Sequence, residues 1–250
     1  MDKQYEKQYH ELEKTHWWFV SRRRKLLSLL HLSPEKTYLD IGCSSGVLLQ
    51  EMLENGACYV NVYGVDISPE GIQRCQSKGL KNTYVMDATH LDLPENYFDY
   101  IIASDCLEHI HDDCTALKNW YRALKPGGVI IVFVPAYQFL WSLHDVVNHH
   151  HRRYTHAELY KKFKAAGFSV RRTGYWNFTL FFPIALFRLL RNGMSRLGFG
   201  EGTPVADLKS TSAPINTLLK ALLSIENRVM EMIRLPIGVS TFCISEKAHR

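Results

Sequence analysis

Three aspartates of the sequence stand at or near the ends of apolar runs. Asp40 lies in LDIGCSSGVLL, Asp66 ends VYGVD and Asp87 ends TYVMD. A carboxylate at the end of a parallel strand can bind both hydroxyls of a ribose, and one before a glycine turn suits a cationic amino group. Each aspartate taken alone is also a common helix cap. Three of them at successive strand ends predict that they line one crevice at the edge of a sheet.

The turn after Asp40 has the spacing D-x-G-x-S-x-G, in which Gly42 and Gly46 flank a tight turn into a helix. Glycine lets the backbone approach a ligand closely, and the N-terminus of a helix offers free N–H groups. A dinucleotide site would have G-x-G-x-x-G to receive pyrophosphate. Because an acid directly before the turn would repel pyrophosphate, the pattern disfavours a nicotinamide oxidoreductase.

A parallel sheet is the scaffold that these residues require. Apolar runs at 36–43, 59–68 and 129–136 alternate with segments of helical spacing, such as 47–56 and 114–128. Continuous apolar runs, rather than alternating ones, indicate parallel strands that are covered on both faces. The sequence therefore predicts a doubly wound, Rossmann-like α/β fold.

Composition sets wider limits on the class of protein. A chain of 250 residues with 46% hydrophobic content can bury a full core. Its six cysteines contain no CxxC pair, which indicates reduced thiols and a cytoplasmic location. The first fourteen residues are polar and charged, so no secretory signal is expected. A net charge of +5 is mild and gives no sign of a nucleic-acid partner.

Five motifs in order, YLDIGCSSG, VYGVDIS, VMDATHLDLP, FDYIIASDCLEHI and LKPGG, resemble those of the class I S-adenosylmethionine-dependent methyltransferases. The resemblance covers residues 36–172 and implies a seven-stranded sheet with one antiparallel strand and S-adenosyl-L-methionine as the cofactor. The cofactor-binding residues that it implies, from the methionyl moiety through the ribose to the adenine, are Asp40, Gly42, Ser44, Gly46, Asp66, Ile67, Asp87 and Ala88, with Ser104 at the fourth strand. At position 44 the family more often has glycine.

The segment HWWF at 16–19, followed by arginines, resembles the N-terminal helix of a bacterial subgroup that is often encoded with polysaccharide and cell-envelope functions. The resemblance implies a helix folded over the cofactor, with Trp18 near the sulfonium and Arg22 paired with the cofactor carboxylate, for which a planar guanidinium is well suited. The alternative is an amphipathic helix that packs Trp17 and Trp18 into the core and leaves its arginines in solvent.

The acceptor end of the site is predicted from two segments. Glu108 and His109 follow the fourth strand and face the expected acceptor pocket, although a glutamate there is also a common helix cap. The segment 144–159 resembles a D-x-x-x-G-H-x-R-R-Y-T pattern of the same subgroup. The pattern maps onto Asp145, His150, Arg152, Arg153 and Tyr154, with His149 at the glycine. We expect His150 to be the general base, with Glu108 and His109 as further catalytic candidates.

Other chemistries are less compatible with these segments. Three adjacent histidines cannot all face one ion from a regular element, so no metal is expected. Arg152 and Arg153 are predicted either to hold an anionic acceptor or to form a solvated pair. The chain has neither D/N-P-P-Y nor a cysteine after proline at the fourth strand, and the family uses these for nucleic-acid bases. We therefore expect no nucleic-acid partner.

The predicted domain organisation is an N-terminal helical cap (1–32), a core (33–176 and 238–250) and a hydrophobic helical insertion (177–237). The apolar run that opens the insertion has fifteen uncharged residues, fewer than the roughly 20 that span a bilayer. Between 175 and 237, seven Lys and Arg stand against four Asp and Glu. An interfacial helix with membrane-surface contact through 175–191, an acceptor pocket, a homodimer surface and a hairpin buried on the sheet all remain open.

Together these observations predict a cytoplasmic methyltransferase, peripheral at the inner membrane face, that methylates oxygen on a saccharide, a lipid-linked intermediate or another small molecule. Two alternatives remain, a non-catalytic protein that binds S-adenosylmethionine and a methyltransferase that acts on protein or nucleic acid. The motifs recognise the donor, so they leave the acceptor unidentified.

Overall fold

The computed structural model describes residues 3–196 and 211–249. In this part of the chain seven strands form one sheet with the order β3-β2-β1-β4-β5-β7-β6. The strands are β1 (Tyr38–Ile41), β2 (Val62–Asp66), β3 (Thr83–Val85), β4 (Phe98–Ser104), β5 (Leu124–Pro135), β6 (Ser169–Trp176) and β7 (Ser240–Glu246). Strands β1 to β5 pair in parallel, and β7 runs antiparallel to both β5 and β6. The predicted fold class is confirmed.

Helices cover both faces of the sheet. They are α1 (Lys3–Glu13), α2 (Trp17–Leu29), α3 (Val47–Glu54), α4 (Pro69–Ser77), α5 (Asp113–Ala123), α6 (Leu143–Val147), α7 (His156–Ala165), α8 (Phe181–Arg196) and α9 (Ala213–Met232). Alternate residues of β1 enter different cores: Leu39 packs with Trp120 on one face, and Tyr38 packs with Leu26 on the other. Burial on both faces explains the continuous apolar runs.

Local signals account for most helix ends. Ser68 precedes α4, and its Oγ accepts a hydrogen bond from the Gly71 N–H at 3.0 Å, as its position before Pro69 predicts. The prediction of a helix over 114–128 was wrong at its end, since α5 stops at Ala123. Leu124 already pairs with Phe98 in the sheet, and Pro126 cannot continue a helix.

The cap and the insertion are joined through α2 and α9. Asn227, on α9, accepts a hydrogen bond from the Trp176 indole N–H at 2.8 Å and donates one to the Ser21 carbonyl at 3.0 Å. The helical character of both segments is confirmed, whereas the domain boundaries stay a prediction. Most of the Gly-rich link between α8 and α9 lies outside the described residues. None of the helices in the described ranges is long and apolar enough to cross a bilayer.

Candidate active site

One large cavity lies across the carboxyl ends of the parallel strands, with a volume of about 1480 Å³. The cap, the loops after β1 to β4, the segment 144–151 and α8 all contribute to its wall. The predicted site residues that line it are Trp18, Gly42, Ser44, Asp66, Ile67, Asp87, Ala88, Ser104, Glu108, His109 and His150. The predicted cofactor end and the predicted acceptor end therefore open into the same space.

A second cavity of about 50 Å³ lies beneath the glycine turn and is lined by Arg22 and Asp40. Gly46 lines neither of these two cavities. It precedes α3 with a φ of +74°, and a Cβ there would lie 2.6 Å from Leu80. Gly46 thus allows the turn and the close packing behind it, while Gly42 and Ser44 form the wall that a ligand would meet.

The glycine turn is held in shape by hydrogen bonds that its N–H groups donate to β2. The N–H groups of Gly42 and Cys43 both donate to the Val65 carbonyl, at 2.8 and 3.1 Å. Ser44 has a φ of +50°, a conformation that favours glycine, at the position where the resembling family has glycine. Its Oγ donates to Glu13 at 3.2 Å. The departure from the family pattern therefore keeps the backbone shape and adds a contact to the cap.

Asp66 and Asp87 lie at the cavity, and each also stabilises a local turn. Asp66 accepts hydrogen bonds from the N–H groups of Ser44 at 2.8 Å and Ser68 at 2.9 Å, which tie the β1 and β2 loops together. The Thr89 N–H and hydroxyl, both at 2.7 Å, donate to Asp87 and lower its pKa. The helix-cap interpretation is therefore wrong for both, because Ser68 caps α4 and no helix directly follows Asp87 in the described chain, and both carboxylates stay on the cavity wall.

Ile67 provides the apolar surface of the cofactor end. Its side chain is 74% exposed although it lies on the cavity wall. Ala88, which also lines the cavity, is fixed because its carbonyl accepts a hydrogen bond from the Trp120 indole at 2.8 Å. An exposed isoleucine beside a small residue leaves a flat apolar surface that suits a planar ring.

Two acidic side chains, Asp40 and Glu13, lie beneath the glycine turn. Asp40 is buried within β1, and burial together with the charges of Glu13 and Asp66 raises its pKa to about 8. Glu13, at the end of α1, accepts a hydrogen bond from the Ser45 hydroxyl at 2.7 Å. Sequence reasoning missed Glu13 because it lies far along the chain from the glycine turn that it contacts. A ligand with a cationic group would relieve this repulsion.

Arg22 is buried in the body of the protein. Its guanidinium lies 4.2 Å from the Trp176 ring centroid and 4.6 Å from that of Phe133. It donates to Asp105 at 3.3 Å and to the Ser240 hydroxyl at 2.7 Å. The interpretation of this arginine as solvated was wrong, because α2 packs against α1, α9 and the sheet. Pairing with a cofactor carboxylate stays a prediction, and it would require an exchange of these partners.

The sequence left two alternatives for the aromatic residues of the cap, a position at the cofactor and a position in the core. Trp18 is half-buried, and its ring contacts Trp176 edge to face at a centroid distance of 5.0 Å. Trp17 is half-buried as well, and both rings line the large cavity. They are therefore part of the packing and part of the cavity wall.

His150 is oriented by a buried carboxylate. Its Nδ1 lies 2.8 Å from Asp145 Oδ1. Burial would raise the pKa of Asp145, but the hydrogen bond from His150 and the charge of Arg153 outweigh it and hold that pKa well below its usual range. The mapped motif thus brings a base and its orienting acid together.

The prediction of Arg153 as a solvated residue was wrong, whereas binding of an anionic acceptor stays a prediction, since Arg153 lines the large cavity. It is 5% exposed and donates from Nε and Nη2 to Asp145 at 2.8 and 2.9 Å, and from Nη1 to the Ala136 carbonyl at 3.1 Å. A guanidinium used in this way positions Asp145. Arg152 instead contacts Asp113 at 3.3 Å.

Glu108 and His109 lie beside His150. Glu108 is fully buried, and neither of its carboxylate oxygens has a hydrogen-bond partner within the described residues, so the helix-cap interpretation fails. Burial and the charge of Asp105 raise its pKa well above its usual range. Burial lowers the pKa of His109 to about 3, with a smaller contribution from the charge of His150, so this ring is neutral. His149, at the glycine of the mapped pattern, has a φ of +55°.

A family model described as "Methyltransferase domain" matches residues 13–173. The chain is 33% identical over 114 residues to phosphoethanolamine N-methyltransferase 3 of Arabidopsis thaliana, covering 44% of this chain and 23% of that protein. It is 30% identical over 100 residues to a ubiquinone biosynthesis O-methyltransferase of Yersinia pestis (strain Pestoides F), covering 38% and 40%. The chain thus spans less than half the length of either relative.

The structure is also similar to that of phosphoethanolamine N-methyltransferase 2 of Haemonchus contortus, solved with S-adenosyl-L-methionine. The TM-score is 0.57 at 20% identity, over 90% of this chain and 52% of that one. At this identity the likeness shows the fold alone.

Proposed function

Because the chain belongs to the methyltransferase-domain family, we propose that it is an S-adenosylmethionine-dependent enzyme that methylates an oxygen of a small-molecule, saccharide or lipid-linked acceptor. One observation carries this proposal. A single cavity joins Asp66, Ile67 and Asp87 to a histidine that is oriented by a buried acid. A donor at the first end and an acceptor hydroxyl at the second would meet in the same space.

The residues at the cofactor end fit this donor, which supplies a methyl group on a sulfonium when bound. Asp66 would bind the ribose hydroxyls, and Ile67 with Ala88 would pack on the adenine near Asp87. The acidic pair beneath the glycine turn, Asp40 and Glu13, would face the positive end of the donor. A cation there would favour the ionised form of Asp40, which the folded protein otherwise keeps protonated.

The residues at the acceptor end orient the hydroxyl and accept its proton. Transfer from a sulfonium is a direct displacement, so alignment of the nucleophile is the main requirement. Asp145 bonds Nδ1 of His150 and leaves Nε2 to accept the proton as the oxygen attacks. A hydroxyl needs such a base more than a neutral amine does, which supports oxygen as the methylated atom.

The proposal predicts that binding and turnover can be separated by mutation. Asp66→Ala should weaken donor binding about 10- to 100-fold, because charge-assisted hydrogen bonds contribute about 1.5–3 kcal/mol. His150→Ala should leave donor affinity within about twofold and lower turnover about 10²- to 10⁴-fold. Calorimetry with S-adenosylmethionine measures the first effect. Release of S-adenosylhomocysteine with a panel of free and lipid-linked saccharides measures the second.

Asp66→Asn is the matched control, because it keeps acceptor oxygen for Ser44 and Ser68 but lacks the charge. Equal donor affinity in the wild type and Asp66→Ala would contradict the ribose assignment. Unchanged turnover in His150→Ala would contradict the assignment of the base.

We further propose that α8 places the enzyme on an anionic membrane surface. One face of this helix carries exposed apolar side chains, namely Phe182, Leu186, Leu189 and Leu190. Arg191 of the same helix is half-buried, whereas Arg188 is buried and donates to the Leu140 carbonyl at 3.1 Å, so the apolar side chains carry the contact. Phe187 lines the large cavity. A lipid-linked acceptor could therefore reach the cavity from the surface that the helix contacts.

Flotation with vesicles of anionic phospholipid tests the membrane proposal. The double variant Phe182→Ser, Leu186→Ser should bind the vesicles at least about tenfold more weakly, since each apolar side chain contributes on the order of 1–2 kcal/mol of burial. The control Leu218→Ser, Ile225→Ser alters equally exposed residues of α9 and should bind like the wild type. Equal loss in both variants would contradict the proposal. A dimer in light scattering that the first variant disrupts would assign the face to a second copy instead.

A further inference from the structure

Glu108, His109 and His150 converge from two loops at the acceptor end of the cavity. One possible ligand atom from each lies within 4.8 Å of the others. Glu108 and His109 come from the single turn Leu107–His109 after β4, and His150 comes from the loop after α6. The sequence expectation of no metal rested on three adjacent histidines sharing one ion. In the structure only one of those three joins the cluster, and the other ligands come from elsewhere.

The carboxylate of Glu108 has no partner in the described protein. The side chain is fully buried, and neither oxygen receives a hydrogen bond there. The nearest basic nitrogen of the cluster, Nε2 of His150, lies 4.0 Å from Oε1. A buried carboxyl group whose oxygens receive no hydrogen bond is costly whether it is neutral or ionised, so its retention at a cavity wall needs a partner. A cation placed between Glu108 and the two imidazoles would be such a partner.

The contacts of His150 prepare it as a metal ligand. Its Nδ1 is bonded to Asp145, which Arg153 and the Ser142 N–H hold in place. A carboxylate on one imidazole nitrogen fixes the tautomer and directs the lone pair of the other nitrogen away from it, as is usual for metal-binding histidines. The free lone pair of Nε2 then faces the Glu108 side of the cluster.

From this geometry we propose that Glu108, His109 and His150 bind one divalent transition-metal cation of the zinc type, with a coordination position open to the cavity. Two neutral imidazoles and a carboxylate are a usual ligand set for catalytic zinc, which keeps a further position for water or substrate. Ligand atoms around tetrahedral zinc are about 3.4 Å apart, so the cluster closes by roughly 1 Å when it is loaded.

The catalytic role of the cation rests on the proposed methyl transfer. Binding of the cation to the three residues does not depend on that proposal. A hydroxyl of the acceptor that occupies the open position becomes more acidic and loses its proton to solvent water near neutral pH. Its oxygen then forms the bond to the methyl carbon as the carbon–sulfur bond breaks. Metal binding would use the Nε2 lone pair that the base needs, so the assignment of His150 as the base applies to the metal-free enzyme, and in the loaded enzyme the cation would activate the hydroxyl instead.

Titration of the full-length, chelator-treated protein with Co²⁺, without donor or acceptor, tests the site. We expect one Co²⁺ per chain, visible d–d absorption of a low-coordinate site, and displacement by Zn²⁺. Glu108→Gln and His150→Ala should each lower the Co²⁺ affinity at least about 100-fold. Asp145→Asn should lower it about 10- to 100-fold, the range for loss of an orienting partner.

His111→Ala and His151→Ala are the controls for adventitious binding by surface imidazoles. These two histidines are exposed, with ring centroids 5.4 Å apart, and their removal should leave the d–d signal unchanged. Wild-type affinity for Co²⁺ in Glu108→Gln, or loss of the signal in the His111 and His151 variants, would overturn the site. Donor calorimetry on the same samples keeps the two proposals distinguishable. Failure to bind S-adenosylmethionine would refute the methyltransferase proposal and leave the metal result intact.

Discussion

Ser44 and His149 have left-handed backbone conformations although neither is glycine. Their φ angles are +50° and +55°, and a side chain in this region costs roughly 1–2 kcal/mol. Both residues line the large cavity, one at the cofactor end and one at the acceptor end. Strained residues persist where the surrounding structure fixes them, and they are frequent at functional sites. The two positions therefore mark the loops whose shape the site requires.

His149→Gly should stabilise the protein by about 1 kcal/mol, because glycine adopts a positive φ without the Cβ penalty and this gain exceeds its entropic cost. Urea unfolding followed by circular dichroism measures the change. His151→Gly is the matched control, since that neighbouring residue has no positive φ and should lose stability instead. Equal destabilisation of both variants would show that the left-handed backbone at His149 is not strained.

Helix α2 contains several basic residues and is nevertheless largely buried. Its basic residues Arg22, Arg23 and Lys25 have partners that come from β4, α3 and α9 rather than from the helix itself. Such partners are distant in the sequence, which is why the helix was predictable from its spacing but the burial of its arginines was not. The same reason hid Glu13, which reaches the glycine turn only through the packing of α1.

The turns that carry the motifs were predictable because the residues that determine them are close together in the sequence. Strand, glycine turn and following helix are encoded within about ten residues, so the positions of Asp66 and Gly42 at the cavity followed from local spacing. The LKPGG segment was misread because a proline and two glycines usually end a helix, whereas here Leu124 already belongs to β5. The register of a strand depends on its neighbours, and a single sequence does not display them.

The contact between the cap and the insertion depends on Asn227. Asn227→Ala should destabilise the protein by about 1–3 kcal/mol, since the buried Trp176 indole N–H would lose its acceptor. Thermal and urea unfolding measure the loss. Asn216→Ala is the control. This residue also joins α9 to the cap, through Trp17 and Thr15, but it is half-exposed and water can replace it. A smaller loss at Asn227 than at Asn216 would contradict this assignment of the contact.

A buried acid and a half-buried acid at opposite ends of the sheet make the stability of the protein depend on pH in opposite directions. Asp40 lies at the ligand end, and its pKa is raised to about 8. Asp99 lies at the other end, beside Thr37. Burial would raise the pKa of Asp99, but hydrogen bonds from Lys125 and Thr37 outweigh it and lower that pKa to about 2. The sheet thus carries one acid that folding keeps protonated and one that folding keeps ionised.

The folded protein should be most stable in mildly acidic solution. Because the unfolded pKa of aspartate is about 3.9, the Asp40 contribution is complete below that pH and is lost as the pH rises toward about 8. The Asp99 contribution is complete above that pH and is lost as the pH falls through about 2. Asp40→Asn should remove the loss at higher pH, at most about 1.4 kcal/mol per pH unit, and Asp99→Asn should remove the loss in acid. Urea unfolding across this pH range measures how the free energy of unfolding changes on the acidic and on the basic side. If Asp40→Asn leaves the dependence of that free energy on pH unchanged, the Asp40 carboxyl is ionised in the folded protein.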